Sequence, residues 1–320
     1  MSTPTPSLAP YTPAQTLELL SRSGAKRGKS RPDKTFFAAM SAGCFVALGG
    51  GASLMIATIP WFNQNAPGLV KMFFGLTFPM ALVMIIFTNG ELFTGSTMIT
   101  GIAFLQRRLS VWYMLRHWFI CFWGNFVGCV FTMAIFMGSD GGAFDNDPYR
   151  SQVISFVTAK QVTPQWHQIF IRAIGANWLV CLAIYMGCQG REILSRVALM
   201  YIPVFFFVMI GFDHVVANMF FIPMGIWLGT PGVTIGLYIW KGIIPALLGN
   251  TVGGFVFCAC YFYYQFIWGE EPIAIDGVYY QEQARMEEGN LGPSMLHPAR
   301  SGSDGQLSGN TAKVDVKQVV

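Results

Sequence analysis

Three ionisable residues lie deep inside stretches of sequence that are otherwise apolar. Glu91 belongs to the segment FTNGELFTGSTMITG, and Asp213 and His214 are adjacent in GFDHVVANM. If these stretches cross a membrane, a charge at mid-depth costs about 2.5 to 3.5 kcal/mol even on a lenient scale, so each residue is a functional candidate. His214 is the first choice, because an imidazole can donate a proton or a hydrogen bond to a passing solute. The alternative is a histidine that is satisfied by Asp213 or by a backbone carbonyl and only holds the loop.

The neighbouring polar residues predict a scaffold for the same two stretches. Glu91 and Asp213 begin the interruptions, where a carboxylate can accept hydrogen bonds from the free N–H groups of a broken turn and favour the half-helix that follows. We interpret both as scaffold residues. Thr94 and Asn218 could cap these half-helices or donate to a solute, and for Thr94 we favour the pore.

Three asparagines lie in apolar surroundings and therefore need polar partners. Asn125 in GNFVG and Asn250 in GNTVGG each follow a glycine, and we expect both to bridge across to the opposite loop. Asn177 is a lone amide in the apolar segment NWLVCLAIY.

The composition indicates an integral membrane protein. Of the 320 residues, 53% are hydrophobic and only 11% are charged, a balance that a water-soluble surface would not tolerate. Several apolar runs exceed the roughly 20 residues that a helix needs to cross a bilayer. The predicted spans are residues 36–61, 70–105, 111–137, 166–189, 197–228 and 235–268.

Six spans place both termini on one side of the membrane. Basic residues crowd before the first span and in two later short loops, so that side is predicted to be the cytosol, and the plasma membrane is the expected location. The chain then divides into a cytosolic N-terminal tail (1–34), a transmembrane domain (35–268) and a flexible cytosolic C-terminal tail (269–320). The net charge of +4 does not indicate nucleic acid binding, because the bases flank the spans.

No cofactor or metal site is expected from the sequence. The seven cysteines all fall within apolar runs, without the spacing of a disulfide scaffold or a zinc site. Of the four histidines, His117 and His167 lie nearer span ends and His297 lies in the tail, so no multi-histidine centre is indicated.

Spans 70–105 and 197–228 are too long for single straight helices, and polar residues interrupt each of them. The span after each interruption contains a Gly-Asn pair, so the chain reads as two matching halves of three spans. An odd number of spans per half predicts an inverted repeat, and such repeats place a permeation site between broken helices. Non-helical backbone survives in hydrocarbon only where it lines a cavity or is buried in protein. One break could be a simple kink, but two matching breaks, each with an ionisable group, favour a pore.

The sequence around both interruptions resembles the formate/nitrite transporter family. Five motifs carry the resemblance over about residues 35–268, in the order and spacing of that family: GLTFPMA, NGELFTG, NWLVCLAIY, GFDHVVANMFFIPMG and LLGNTVGG. The resemblance implies an all-α, aquaporin-like bundle of six spans that assembles as a homopentamer with a pore in each protomer. Family members carry formate and other small monocarboxylates, nitrite or hydrosulfide. The long tails and the TFP string are most similar to protozoan members that export lactate with a proton.

The resemblance also implies roles for individual residues. The central histidine is His214, the threonine of the first loop is Thr94, and the pore-side amides are Asn177 and Asn250. The implied apolar constrictions are Phe78, Leu82, Leu92, Phe93 and Phe207.

The chain departs from the family pattern in three places. Asp213 stands where glutamate is usual, and Asn89 stands where glycine is common. The vestibule lysine of the family falls on Gln161, and Lys160, one residue earlier, serves in its place only after a one-residue shift.

These features together predict proton-coupled transport of small monocarboxylates. Lactate and formate are the first candidates, and acetate, pyruvate and nitrite are further ones. Lys160 would collect the anion, which would cross an apolar constriction as the neutral acid because its desolvation cost is then far smaller. The main alternative is a channel for small neutral solutes such as water or glycerol. An intramembrane enzyme with Asp213 and His214 as a base pair and a receptor are less supported, because no nucleophile, metal set or signalling domain is present.

Overall fold

The computed structural model describes residues 9–139 and 141–287. Its main helices are α1 (Pro13–Gly28), α2 (Pro32–Ile56), α3 (Pro67–Phe87), α4 (Phe93–Leu105), α5 (Val111–Met137), α6 (Trp166–Gln189), α7 (Ile193–Ile210), α8 (Val215–Trp227) and α9 (Ile235–Phe266). Six of these are long and apolar enough to cross a membrane, and α1, α4 and α8 are shorter. Within the described residues the protein is helical, with one isolated β-bridge. The predicted all-α class with six spans is confirmed.

The two long predicted spans are each divided into two helices. A non-helical link separates α3 from α4, and Asn89 in this link has a left-handed backbone with φ 55°. Asparagine is one of the few residues besides glycine that visit this conformation routinely, which explains why it can replace glycine here. Gly211 ends α7 with φ 84°, and α8 begins at Val215. The opposite orientation of the two halves across the membrane stays a prediction.

Small residues bring two pairs of long helices into close contact. A Cβ atom added at Gly128 of α5 would collide with the carbonyl oxygen of Met40 in α2. In the second half, a Cβ atom at Gly253 of α9 would collide with the carbonyl oxygen of Ile174 in α6. Both glycines end a Gly-Asn-x-Val-Gly segment, a spacing that lets membrane helices approach closely. This packing places Asn125 and Asn250 at equivalent positions beside the two breaks.

The predicted N-terminal tail contains a helix that packs on the transmembrane part. Thr12 and Gln15 form a capping box at the start of α1, which satisfies backbone groups at that end. Leu17 of α1 is fully buried, and the buried Glu18 pairs with Arg108 at 2.9 Å. The predicted N-terminal tail, residues 1–34, is therefore partly helical and is not a wholly unstructured segment.

Residues 271–287 belong to a second unit with a short helix, Tyr280–Glu287. The rest of the predicted C-terminal tail, including His297, lies outside the described residues.

Candidate functional site

His214 begins α8 and contacts Thr94, the second residue of α4. The backbone N–H of Ala217 donates to His214 Nδ1 at 3.2 Å, so this nitrogen carries no hydrogen. In a neutral imidazole the hydrogen then lies on Nε2, which is 2.9 Å from Thr94 Oγ1 and donates to it. The Thr94 hydroxyl consequently keeps its own hydrogen available to donate elsewhere. Both residues are buried.

The carboxylates at the breaks pair with cations and do not cap the half-helices. Asp213 Oδ1 lies 2.6 Å from Lys160 Nζ, and Glu91 Oε2 lies 2.9 Å from Arg27 Nη1. The expectation that these carboxylates accept the free N–H groups of the broken turns is therefore wrong. A carboxylate buried beside a cation keeps its charge compensated, whereas neutral N–H groups alone would compensate it less well.

Two asparagine amides satisfy the broken turns instead. Asn125 Oδ1 accepts from the Phe93 N–H at 2.9 Å, and its Nδ2 donates to the carbonyls of Ala39 and Glu91 at 2.8 and 2.9 Å. The Asn125 side chain thus connects the start of α4 to the break before it and to the neighbouring span α2. The bridge goes to the break of the asparagine's own half and not across to the other half.

Asn250 makes the same set of contacts in the second half. Its Oδ1 accepts from the Val215 N–H at 2.7 Å, and its Nδ2 donates to the carbonyls of Ala173 and Asp213 at 2.7 and 3.1 Å. This repetition of donor and acceptor roles is the strongest correspondence between the two halves.

Asn177 and Asn218 also donate hydrogen bonds from their side-chain amides to other groups of the protein. Asn177 Nδ2 lies 2.6 Å from the Asn250 carbonyl oxygen, 3.0 Å from Thr97 Oγ1 and 3.2 Å from the Thr94 carbonyl oxygen. It therefore links the half-helix that carries Thr94 to α9. Asn218 Nδ2 donates to the Gly242 carbonyl at 3.1 Å.

Aromatic rings cover His214 on one side. The Phe207 ring stacks on the imidazole with 5.9 Å between centroids, and Phe78 meets Phe207 edge-on at 6.1 Å. All five predicted constriction residues, Phe78, Leu82, Leu92, Phe93 and Phe207, are buried. The Phe93 ring packs against Trp118 and Phe122. Among the predicted constriction residues, Phe207 thus packs directly on the histidine and Phe78 packs on Phe207.

Lys160, rather than Gln161, reaches the second break. The Lys160 side chain is 14% exposed and its Nζ pairs with Asp213, whereas Gln161 is buried and donates to the Leu237 carbonyl at 3.0 Å. A π-helical turn, Thr158–Val162, carries both residues after the short helix Tyr149–Val157. The extra residue in a π-helical turn changes the side-chain register, so neighbouring residues of this turn face different partners.

Sequence reasoning missed a polar cluster behind the first break. His117, the seventh residue of α5, is buried, and its Nε2 lies 3.5 Å from Glu91 Oε2, 3.2 Å from Ser96 Oγ and 3.3 Å from Cys121 Sγ. The i,i+4 spacing of His117 and Cys121 on α5 was the available signal.

A known protein family matches most of the chain. The family model described as formate/nitrite transporter matches residues 14–264. The chain belongs to the formate/nitrite transporter family. A probable formate transporter from Methanothermobacter thermautotrophicus is 36% identical over 269 residues, which cover 80% of this chain and 97% of that protein. A formate channel from Haemophilus influenzae is 33% identical, covering 76% and 90%. Formate-nitrite transporter 3 from Toxoplasma gondii is 32% identical, covering 76% and 49%.

Solved structures of this family share the fold. A chain described as a family ion channel superposes with a TM-score of 0.71 at 26% identity, covering 78% of this chain and 98% of its own length. A pentameric formate channel with formate bound gives a TM-score of 0.65 at 25% identity, covering 74% and 98%. Family membership and six apolar helices make this chain a multi-pass membrane protein of a transport family.

Proposed function

We propose that this chain carries small monocarboxylates together with protons, through a pore in each protomer of a homopentamer. The observation that carries the proposal is the buried contact between His214 and Thr94, where the two half-helices begin. Its geometry leaves the Thr94 hydroxyl hydrogen free to donate to a carboxyl oxygen. Relatives named as formate channels and transporters support formate as one substrate, and lactate is the finer expectation. The plasma membrane, with both termini in the cytosol, is the proposed location.

Charge and burial suggest how an anion could use this path. Lys160 uses one of its three N–H donors on Asp213, and the remaining donors of this partly exposed ammonium attract the anion at short range. As the surroundings become less polar past Phe78 and Phe207, the pKa of the substrate rises and it takes up a proton. The neutral acid then crosses the aromatic constriction without the several kcal/mol that a bare carboxylate would cost. His214 either supplies a proton or holds the acid by hydrogen bonding through Thr94.

The other polar residues serve as supports in this proposal. Asn125, Asn177 and Asn250 hold the breaks through their backbone contacts, because their amide hydrogens are already donated. We propose no enzymatic role. Within the described residues no hydrogen bond joins the Asp213 carboxylate to the His214 ring, and both ring nitrogens have other partners.

Proteoliposomes with an internal pH dye test the proposal. Uptake of formate or lactate should acidify the lumen in proportion to the substrate that enters, and should be faster when the outside is acidic. Acetate, pyruvate and nitrite belong in the same panel. Electrogenic flux that does not depend on pH would contradict proton coupling, and flux of water or glycerol alone would favour a neutral-solute channel.

Substitution of the histidine tests its part. His214→Asn should reduce flux severely, while His167→Asn, at an exposed position, should leave it unchanged. Wild-type flux in His214→Asn would reduce His214 to a structural cap.

A further inference from the structure

A second group of chemically active side chains lies behind the first break, apart from His214 and Thr94. Among the described residues, Glu91, His117 and Cys121 bring one ligand atom each to within 4.8 Å of one another. The His117 Nε2 atom is central, at 3.5 Å from Glu91 Oε2 and 3.3 Å from Cys121 Sγ. All three residues are buried, with 7%, 2% and 0% of their surface exposed for Glu91, His117 and Cys121. The proposed transport step uses neither His117 nor Cys121.

The distances from His117 Nε2 to Glu91 Oε2 and to Cys121 Sγ match two edges of a tetrahedral metal site, and all three ligand atoms lie within 4.8 Å of one another. Zinc bonds of roughly 2.0 to 2.3 Å to nitrogen, oxygen and sulfur place neighbouring ligands about 3.3 to 3.7 Å apart. His117 and Cys121 stand four residues apart on one face of α5, and Glu91 approaches from the non-helical link. Ser96 Oγ, 3.2 Å from His117 Nε2, is placed to hold a water molecule in the fourth position.

We propose that Glu91, His117 and Cys121 bind a thiophilic divalent cation of the zinc class. Once the guanidinium of Arg27, which pairs with Glu91 in this structure, has turned away, the bound form contains a dication, one carboxylate and one thiolate, so its net charge is zero, which favours a site buried in a membrane protein. Binding releases the Cys121 thiol proton to solvent, and the imidazole binds as the neutral ring.

Arg27 is a built-in competitor for this site. Its Nη1 atom lies 2.9 Å from Glu91 Oε2, the same oxygen that faces His117. A dication at this position would repel the guanidinium, which is 14% exposed and can turn towards solvent. Removal of this polar side chain should therefore strengthen metal binding. Arg27→Gln should raise affinity by about tenfold, which corresponds to the lower end of the range for a hydrogen bond to a charged group.

Titration of the purified protein with Cd²⁺ tests the site, because a thiolate–cadmium bond adds a charge-transfer band to the ultraviolet difference spectrum. We expect one Cd²⁺ per protomer in the wild-type protein, displacement by Zn²⁺, and release at acidic pH. Cys121→Ser and His117→Gln should lose the absorption. Cys129→Ser is the matched control, because Cys129 is equally buried on α5 and its thiol lies within hydrogen-bonding distance of the carbonyls of Gly43 and Val216 instead.

Elution volume and melting temperature show that each variant is folded before it is scored. The proposal is overturned if the folded wild-type protein gives no cadmium–thiolate absorption, if folded Cys121→Ser and His117→Gln keep it, or if Arg27→Gln binds no more tightly. None of these readouts depends on transport, so their failure leaves the proposed function to be judged by flux alone.

Discussion

The hydrogen bonds of one imidazole set the chemistry that this protein can offer a substrate. Because Ala217 donates to Nδ1, His214 presents its Nε2 hydrogen to Thr94, and the pair is neutral in this state. A neutral pair suits a path through aromatic rings, since no charge must be desolvated there. In the proposed function the threonine hydroxyl is then a group that meets the substrate, and the histidine holds its orientation.

Thr94→Val keeps the shape of the side chain and removes the hydroxyl. We expect formate flux to fall by roughly 2- to 10-fold, the factor that follows from the loss of one hydrogen bond of about 0.5 to 1.5 kcal/mol. Stopped-flow uptake into proteoliposomes measures this change. Thr100→Val is the control, because Thr100 is also buried on α4 but bonds to Ser96 and Trp118. Equal flux in Thr94→Val and wild type would remove Thr94 from the path.

The ion pair between Lys160 and Asp213 is the residue-scale support of the second break. Removal of one partner leaves a buried charge uncompensated, so Lys160→Met should cost about 3 to 5 kcal/mol of stability. The double variant Lys160→Met, Asp213→Asn should recover most of that loss. Thermal unfolding in detergent compares the wild-type protein, Lys160→Met, Asp213→Asn and the double variant. Additive losses in the double variant would mean that the two residues act independently.

At the scale of the helices, two asparagines make the breaks possible. Each break exposes backbone N–H and C=O groups that water cannot reach, and such groups cost about 1 to 3 kcal/mol each when unsatisfied. Asn125 and Asn250 satisfy two of them apiece, and each also donates to one carbonyl of a neighbouring span. Glycines at Gly128 and Gly253 let the neighbouring helices come close enough for these side chains to reach.

Asn250→Leu tests this role of the amide. It removes three hydrogen bonds to backbone groups, so we expect a much larger fall in melting temperature than for Asn218→Leu, which removes one. Differential scanning fluorimetry in detergent gives both values. Similar falls for the two variants would show that the break is held by packing and not by the amide.

At the scale of the whole molecule, many large apolar side chains are exposed on the surface. Large aromatic and aliphatic side chains such as Trp112, Phe119 and Leu194 are 65 to 74% exposed. An apolar surface of this kind must face lipid or other protomers, because in water it would aggregate. A related formate channel of the same fold is pentameric.

Chemical cross-linking in mild detergent tests the proposed pentamer. We expect a ladder of bands that ends at five protomers, because a closed ring has no further free interface. Size-exclusion chromatography with light scattering gives the protomer number independently. A monodisperse, transport-competent monomer would contradict the assembly.

Several features of the fold can be predicted from the amino-acid sequence. Long apolar runs predict membrane helices because hydrocarbon admits little else, and a carboxylate with glycine inside such a run predicts a break. The motifs around Thr94 and His214 indicate the formate/nitrite transporter family, and residues 14–264 match the sequence model of that family. The spans were predicted to within a few residues, except that α2 starts at Pro32 and the two long spans are divided.

Other features depended on distances that the sequence does not contain. The side-chain amides of two asparagines satisfy the backbone groups at the breaks. The two carboxylates do not, because they are paired with Arg27 and Lys160. The partners lie 64 and 53 residues apart in the chain, so no local pattern reveals them. His117 and Cys121 looked like ordinary residues of an apolar span, and only packing against the first break made them a cluster. Residue type thus determines which bonds a side chain can form, and the fold decides which partner arrives within reach.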